Sequence, residues 1–264
     1  MRIAIVVAAE LDVQPLGLSG DFQLNIAEVS RLGYDGVELH IKDPDKLDVE
    51  SIRELTERFN LPIAAIGTGL TYTVYGLSLS SPKRAIREKA LERIQKYLKI
   101  GKDLDSPIIV GSIKGKTKNY GSGIRNLKDS LTRCAGHAEE IGTRILIEPI
   151  NRYESNLLPT VDEVVRLKDE IGSSFIGVMA DTYHMNIEEK SIYDSIIRAD
   201  GYLEHVHFAD NNRLAPGQGH LDFKQIIRAL KEISYDAFIT AEILPLPNQY
   251  DAAELTIEYL KSIR

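Results

Sequence analysis

The chain alternates short apolar runs with longer amphipathic segments throughout its length, and this alternation limits the folds open to it. Eight of the short runs have the near-continuous apolar character of strands buried on both faces. They cover residues 2–8, 36–41, 62–67, 107–111, 144–149, 175–181, 203–210 and 237–243. Strands that alternate with helices form a parallel sheet. The 264 residues divided among eight units give 33 residues per unit (264/8). We therefore predict a single (βα)8 TIM barrel, eight parallel strands with outer helices, in one domain over residues 1–264.

Apolar positions repeat with a helical period in five of the intervening segments. Ser81 and Pro82 suit the cap and the first turn of the clearest of these helices. Gly142 and Gly172 stand where two others would end. The five helices are predicted over residues 81–104, 125–142, 160–172, 222–234 and 250–263. A doubly wound open sheet is the rival fold, but no GxGxxG motif follows the first strand.

Charge and cysteine content narrow the possible partners. The formal net charge is −7 and the pI is about 5.5, which disfavours nucleic acid and anionic membranes as partners. Cys134 is the single cysteine, so an intrachain disulfide is excluded and a reducing, cytoplasmic location is expected. The first twelve residues lack the features of a signal peptide, and no apolar run reaches the roughly 18 residues of a membrane span.

A polar side chain directly follows an apolar stretch at or near the end of each of the four last runs. These four side chains are Glu148, Asp181, His207 and Glu242. The carboxyl ends of barrel strands meet at one mouth, where TIM barrels carry their active sites. A carboxylate placed directly after a buried run is costly unless it is paired, hydrogen-bonded or bound to a metal. Three carboxylates and one imidazole suit Mn²⁺, Mg²⁺ or Co²⁺ better than a metal that prefers thiolates. The sequence thus predicts a divalent metal site at the mouth.

The segments around these residues resemble the xylose-isomerase-like superfamily of sugar isomerases and epimerases. Within it they are most similar to the ketose 3-epimerase branch, which includes D-tagatose 3-epimerase and D-psicose 3-epimerase. The resemblance rests on EPINRYE (148–154), DTYHMNIEE (181–189), HVHFADNNRLAPGQGHLDF (205–223) and AEI (241–243). It covers roughly the second half of the chain. The first half is similar as barrel units and through the segment at 75–90.

The resemblance implies a role for each matched residue. The implied ligands of one divalent ion, expected to be Mn²⁺ with Mg²⁺ or Co²⁺ as alternatives, are Glu148, Asp181, His207 and Glu242. Two of these ligands, Glu148 and Glu242, are also implied to be the catalytic acid and base. The implied substrate contacts are Glu154, His184 and Arg213. The resemblance further implies a sugar or sugar derivative as substrate and a homo-oligomer, either a dimer or a tetramer.

The chemistry of the residues is compatible with this assignment. A proton leaves the carbon beside a carbonyl only if the resulting enediolate is stabilised, which a divalent ion can do as a Lewis acid. Two carboxylates on opposite faces of the enediolate allow removal on one face and return on the other, which is epimerisation. One carboxylate that moves a proton between adjacent carbons gives aldose–ketose isomerisation instead. Glu148 and Glu242, on strands five and eight, form the natural opposed pair. We therefore predict C3 epimerisation of a ketose.

The substrate stays open at this point. The chain has no tryptophan and its first strand ends without an aromatic residue, whereas this branch tends to shape its sugar pocket with aromatic side chains. Tyr72, Tyr75 and Tyr120 are possible substitutes. Aldose–ketose isomerases, hydroxypyruvate isomerases, sugar-phosphate epimerases and inosose dehydratases share much of the ligand set.

Two further classes are weighed against an isomerase. Endonuclease IV, a DNA-repair hydrolase, shares the barrel but draws histidines from strands three and four, and here those strands end without histidine. A barrel that binds metal without catalysis is disfavoured by the presence of both candidate acid–base glutamates.

The remaining polar residues receive structural predictions. His205 is expected to be a hydrogen-bonded core residue one layer below His207. His40, at the end of strand two, is weighed as a pocket residue but is not assigned to the site, and Glu38 on the same strand is interpreted as structural. His220 is placed either near the pocket or at the start of the next helix. Solvated positions are predicted for Glu188, Glu189 and the lysines of residues 112–123.

Overall fold

Eight parallel strands close into a barrel in the computed structural model, which describes residues 1–264. The strands follow one another in chain order around the barrel, and β1 pairs with β8 to close it. They are β1 (Arg2–Ala8), β2 (Gly36–His40), β3 (Ile63–Gly67), β4 (Ile108–Val110), β5 (Ile145–Ile147), β6 (Ile176–Asp181), β7 (Leu203–Phe208) and β8 (Phe238–Ala241). The structure confirms the predicted (βα)8 TIM barrel.

Helices follow the strands and form the outer layer. They are α1 (Phe22–Leu32), α2 (Val49–Arg58), α3 (Leu70–Tyr75), α4 (Arg84–Asp103), α5 (Tyr120–Ile141), α6 (Val161–Ile171), α7 (Thr182–Glu188), α8 (Ile192–Arg198), α9 (Phe223–Glu232) and α10 (Gln249–Ile263). None of them combines the length and the apolar character that crossing a membrane requires. The main apolar core lies between these helices and the outer face of the barrel.

Helix α4 begins later than the sequence predicts. It starts at Arg84, and Lys83 occupies the cap position without a side-chain hydrogen bond to the helix. Ser81 does not cap the helix, because its hydroxyl accepts the backbone N–H of Lys83 at 3.3 Å and closes a local turn. The predicted cap is therefore wrong, although the helix itself is present.

Helix α5 begins earlier than predicted and ends where predicted. It starts at Tyr120 because the side chain of Asn119 accepts the backbone N–H of Ser122 at 3.1 Å and caps the first turn. That turn contains two glycines, which are poor helix formers and conceal it in the sequence. Gly142 and Gly172 end α5 and α6 in the left-handed conformation, as expected for helix C-termini.

The barrel interior changes from apolar to polar along the strands. A small apolar cluster from four neighbouring strands fills part of the interior, and it consists of Ala65, Ile109, Leu146 and Met179. Side chains two positions apart on a strand point to the same face. Glu148 and Asp181, two positions beyond Leu146 and Met179, therefore face the mouth directly above this cluster.

Candidate metal centre

Four side chains from four consecutive strands meet at the carboxyl ends of the barrel. Asp181 is the last residue of β6 and His207 lies on β7, while Glu148 and Glu242 directly follow β5 and β8. One potential ligand atom from each lies within 4.8 Å of the others, and all four residues have little solvent exposure. The structure thus brings together the four residues that the sequence singled out as ligands.

The imidazole of His207 shows that this group fits a metal ion. Its Nδ1 atom lies 3.3 Å from the carboxylate of Glu242, 3.8 Å from Glu148 and 3.9 Å from Asp181. That atom is buried and makes no hydrogen bond. Buried polar atoms are rarely left without a partner. One unpartnered imidazole nitrogen facing three carboxylates is a donor set suited to a hard divalent cation.

Arg213 lies over the same carboxylates. Its Nη1 donates to Asp181 Oδ2 at 2.8 Å, and its Nη2 donates to Glu242 Oε2. The guanidinium group stacks on the ring of Tyr183, 4.7 Å from the ring centroid. The backbone of Arg213 is in the left-handed region, with a φ of 66°. This conformation and these contacts turn the side chain back over the mouth.

The loop that carries Arg213 is held by Asp210. The Oδ2 atom of Asp210 accepts the backbone N–H groups of Gly217 and Gly219 at 2.9 and 2.8 Å. The glycines of this loop are therefore part of a turn that Asp210 holds in place. His220, which follows them, is exposed, and Asp222 rather than His220 caps α9.

The two candidate acid–base residues hold protons differently. Burial, together with the neighbouring carboxylates of Glu242 and Asp181, raises the pKa of Glu148 to about 8. Burial also opposes ionisation of Glu242, but Arg213 and His207 lower the pKa of that carboxyl below its ordinary value. Two carboxyl groups with pKa values pushed apart in one site are the pattern that acid–base catalysis uses.

His184 lies beside the ligands on the first turn of α7. Its Nε2 is 3.8 Å from the carboxylates of both Glu148 and Asp181. Its Nδ1 accepts a hydrogen bond of 2.7 Å from the side-chain amide of Asn151, which also donates to Glu154 at 2.9 Å. Burial lowers the pKa of His184 and favours the neutral ring. A neutral ring that accepts at Nδ1 carries its proton on Nε2, facing the site.

Glu154 lies at the rim of the site. Its side chain is 52% exposed, and one of its oxygens is 4.0 Å from Nδ1 of His184. It is therefore close to the buried ligands without being one of them.

Two polar residues on β2 also lie beside this site, although Glu38 was expected to be structural and His40 was not assigned to the site. Glu38 is fully buried, and His40 lies 3.1 Å from it and 3.7 Å from the carboxylate of Glu242. A signal for them was available, because Glu38 and His40 are two positions apart in an apolar run and must face the same side of the strand. His205 was predicted correctly as a hydrogen-bonded core residue, with Nε2 2.9 Å from Glu38.

Lys114 was expected to lie in a solvated loop, but it is fully buried and its ammonium group donates to the backbone oxygen of Glu148. Burial lowers the pKa of Lys114 to about 8. The lysine thus holds the backbone of a candidate ligand.

Glu188 and Glu189 were also wrongly expected to be solvated. The carboxylate of Glu188 accepts the backbone N–H of Arg152 at 2.6 Å and two guanidinium N–H groups of the same residue. Glu189 accepts the backbone N–H of Val161 at 2.8 Å and the hydroxyl of Ser195 at 2.7 Å. The Glu188 bonds connect the end of α7 to the loop that carries Glu154, whereas the Glu189 bonds reach α6 and α8.

Comparison with known proteins assigns the chain to a family. The family model described as the xylose isomerase-like TIM barrel matches residues 26–263, so the chain belongs to this family. Its relatives then narrow the assignment to a branch.

The chain is 32% identical over 238 residues to a D-psicose 3-epimerase from Agrobacterium fabrum, a match that covers 85% of this chain and 80% of that protein. It is 33% identical over 235 residues to a D-psicose 3-epimerase from Ruminiclostridium cellulolyticum, covering 84% and 78%. A solved D-allulose 3-epimerase from Methylomonas sp. superposes with a TM-score of 0.84 and 27% identity, covering 100% of this chain and 98% of that one. The chain is therefore an enzyme of the ketose 3-epimerase-like branch.

Proposed function

We propose that this protein is a divalent-metal-dependent ketose 3-epimerase that works with Mn²⁺. The observation that carries the proposal is the placement of two glutamates, Glu148 directly after β5 and Glu242 directly after β8, in one group of four potential ligands. Two carboxylates that reach one carbon from different strands would allow a proton to be removed on one face and returned on the other. The relatives named above support a ketose as the substrate class.

The residues that would hold the ion are Glu148, Asp181, His207 and Glu242. When bound, a divalent ion supplies Lewis-acid polarisation of the substrate carbonyl. Mn²⁺ suits a set with three carboxylates, and Mg²⁺ or Co²⁺ would meet the same requirement.

The proton is moved by the two glutamates. In one direction a carboxylate takes the proton from C3 of the ketose, and the electron pair of that C–H bond forms the enediolate. The other glutamate, holding a proton, returns it to the opposite face of C3 and regenerates the C2 carbonyl. Each glutamate would accept the proton in one direction of the reaction and donate it in the other. The configuration at C3 inverts, and no oxidant or reductant is consumed.

Three polar residues are proposed to orient the sugar. The guanidinium of Arg213 and the Nε2–H of His184 face the mouth and can donate to substrate oxygens. Glu154, at the exposed rim, can accept from a sugar hydroxyl. The proposed partner is thus a small polyhydroxylated molecule, and we propose that the protein acts in the cytoplasm.

The test is an epimerisation assay on a panel of substrates. Purified protein stripped with EDTA and reloaded with Mn²⁺ is incubated with free ketoses, ketose phosphates and hydroxypyruvate, and the products are identified by chromatography and NMR. We expect C3 epimers of at least one free ketose, loss of the activity in EDTA and its recovery on addition of Mn²⁺.

Other products would indicate a different reaction. An aldose product would indicate isomerisation, an epimer formed from the phosphates alone would indicate a sugar-phosphate epimerase, and loss of water would indicate a dehydratase. Activity that persists after complete metal removal would contradict the proposal.

A further inference from the structure

A carboxylate is buried inside the barrel, one layer below the candidate metal centre. Glu38 lies in the middle of β2 and has no solvent-exposed surface. Barrel interiors are normally filled with bulky apolar side chains, and an unpaired buried carboxylate is costly. Packing alone therefore does not explain a glutamate at this position.

Three imidazoles surround the carboxylate of Glu38. Nε2 of His205 and Nε2 of His207 each lie 2.9 Å from its Oε2, and Nε2 of His40 lies 3.1 Å from its Oε1. His207 is also 3.1 Å from Oε1, so the carboxylate faces this ring with both oxygens. A carboxylate in this arrangement accepts a hydrogen bond from each ring nitrogen.

The contact with His207 determines which of its nitrogens can bind a metal. A neutral imidazole carries one N–H, and donation of that N–H from Nε2 to Glu38 leaves the lone pair on Nδ1. Nδ1 is the atom that lies 3.3 to 3.9 Å from the three candidate ligand carboxylates and has no hydrogen-bond partner. The hydrogen bond from Nε2 to Glu38 thus leaves Nδ1 of His207 facing the site with its lone pair free.

We propose that Glu38 is a positioning residue that fixes the tautomer and the ring orientation of His207 for metal binding, and that His205 and His40 hold the Glu38 carboxylate in place. This inference rests on the metal dependence in the proposed function and does not depend on which sugar is turned over. Hydrogen-bonded partners of metal-bound histidines fix the ring in this way, and losing one weakens metal affinity about 10- to 100-fold.

Glu38, His205 and His207 also form a compact group whose ligand atoms lie within 4.8 Å of one another. A second ion in this group is the competing explanation for the buried carboxylate. Hydrogen-bond distances from both rings to one oxygen favour the positioning role.

The experiment compares the wild type with Glu38→Gln, Glu38→Asp and a control, Glu189→Gln. The control removes the charge of a carboxylate that accepts two hydrogen bonds elsewhere in the chain. Mn²⁺ affinity and stoichiometry are measured by calorimetry on metal-free protein. The protonation of His207 is measured by ¹⁵N–¹H NMR of the diamagnetic zinc-loaded protein, with the signal assigned through His207→Asn.

We expect one ion per chain, a proton on Nε2 of His207 in the zinc-loaded wild type, and Mn²⁺ binding about 10- to 100-fold weaker in Glu38→Gln. Glu38→Asp should keep part of the affinity, and the control should keep all of it. Equal affinity in the wild type and Glu38→Gln would overturn the inference. So would two ions in the wild type with one lost in the variant. A wild-type His207 without a proton on Nε2 would overturn it even if Glu38→Gln failed to fold.

The outcomes also separate this inference from the proposed function. If the wild type binds Mn²⁺ and Glu38→Gln binds it more weakly, but no ketose is epimerised, the positioning role stands and the substrate assignment fails. If ketoses are epimerised and Glu38→Gln binds Mn²⁺ normally, the reverse holds.

Discussion

The two candidate acid–base residues lie in one site but in different surroundings. Glu148 is buried beside other carboxylates, whereas Glu242 is paired with Arg213. Replacing either glutamate with glutamine should therefore remove one proton carrier and leave the other. We expect kcat at saturating Mn²⁺ to fall about 10²- to 10⁴-fold in both Glu148→Gln and Glu242→Gln.

The same two variants also make a prediction for exchange of the C3 proton with solvent. A variant with one remaining base should still exchange the C3 proton of one epimer with D₂O, although it cannot complete the inversion, and proton NMR detects this exchange. Glu170→Gln, which alters an exposed carboxylate paired with Lys128, is the matched control and should behave as wild type. Wild-type turnover by Glu148→Gln or Glu242→Gln would show that the substituted glutamate is not the catalytic acid or base.

Gly111 at the end of β4 makes room for Glu148. A Cβ atom added at Gly111 would clash with Oε2 of the Glu148 carboxylate. We expect Gly111→Ala to displace this ligand and to weaken Mn²⁺ binding about tenfold or more, with the circular dichroism spectrum unchanged. Calorimetric titration checks the result. Unchanged affinity would mean that Glu148 does not need its observed position to bind the ion.

Some residues of the site could be predicted from the sequence, and others could not. Asp181 directly follows a strongly apolar run and His207 lies near the end of the next strand, so their position at the mouth was predictable from the sequence. Glu38 was harder to identify, because its role depends on imidazoles from β7 that lie more than 160 residues away in the chain. Lys114 was missed for a related reason, since a lysine between glycines favours a solvated loop unless its buried acceptor on β5 is known.

At the scale of elements, Gly136 gives a test of helix stability. It lies on the exposed face of α5, and a Cβ added there would meet nothing within 4 Å. We expect Gly136→Ala to raise the free energy of unfolding by roughly 0.5–1 kcal/mol, because alanine restricts the unfolded chain and favours the helix. Chemical denaturation measures the change. A destabilised variant would show that this face is covered by another part of the protein.

The elements themselves were predictable to different degrees. The strands are near-continuous apolar runs, and the helices α4, α6, α9 and α10 follow clear helical periods. The five helices outside the sequence prediction include α3, α7 and α8, which are six or seven residues long and too short to show a reliable period. The start of α4 depended on a local hydroxyl bond at Ser81 that competes with capping. Whether a serine caps a helix or bonds within a local turn depends on the surrounding structure, and the hydrophobic pattern of the sequence does not show it.

At the scale of the whole molecule, metal binding should stabilise the fold. Ligands that come from four strands are brought together only in the closed barrel, so the ion binds the folded state preferentially. Mn²⁺ at 100 times its Kd should add about 2.7 kcal/mol to the free energy of unfolding. Scanning calorimetry with Mn²⁺ and with EDTA checks this, and Glu170→Gln should show the full shift. Identical melting temperatures with and without Mn²⁺ would argue against a site that needs the folded barrel.

The assembly of the molecule stays a prediction. The expected homo-oligomer, a dimer or a tetramer, can be measured by light scattering on the eluting protein. The result bears on stability and leaves the chemistry assigned to the site unchanged.

Proton exchange at one carbon tests the central claim most directly. Mn²⁺-loaded wild-type protein is incubated in D₂O with the ketose that it turns over, and deuterium at C3 is followed by NMR alongside an EDTA-treated sample. We predict that the C3 epimer appears with deuterium at C3, and that both exchange and epimerisation stop in EDTA. An epimer that retains its original C3 proton in D₂O, or an exchange that continues without metal, would contradict a metal-dependent mechanism with Glu148 and Glu242 on opposite faces.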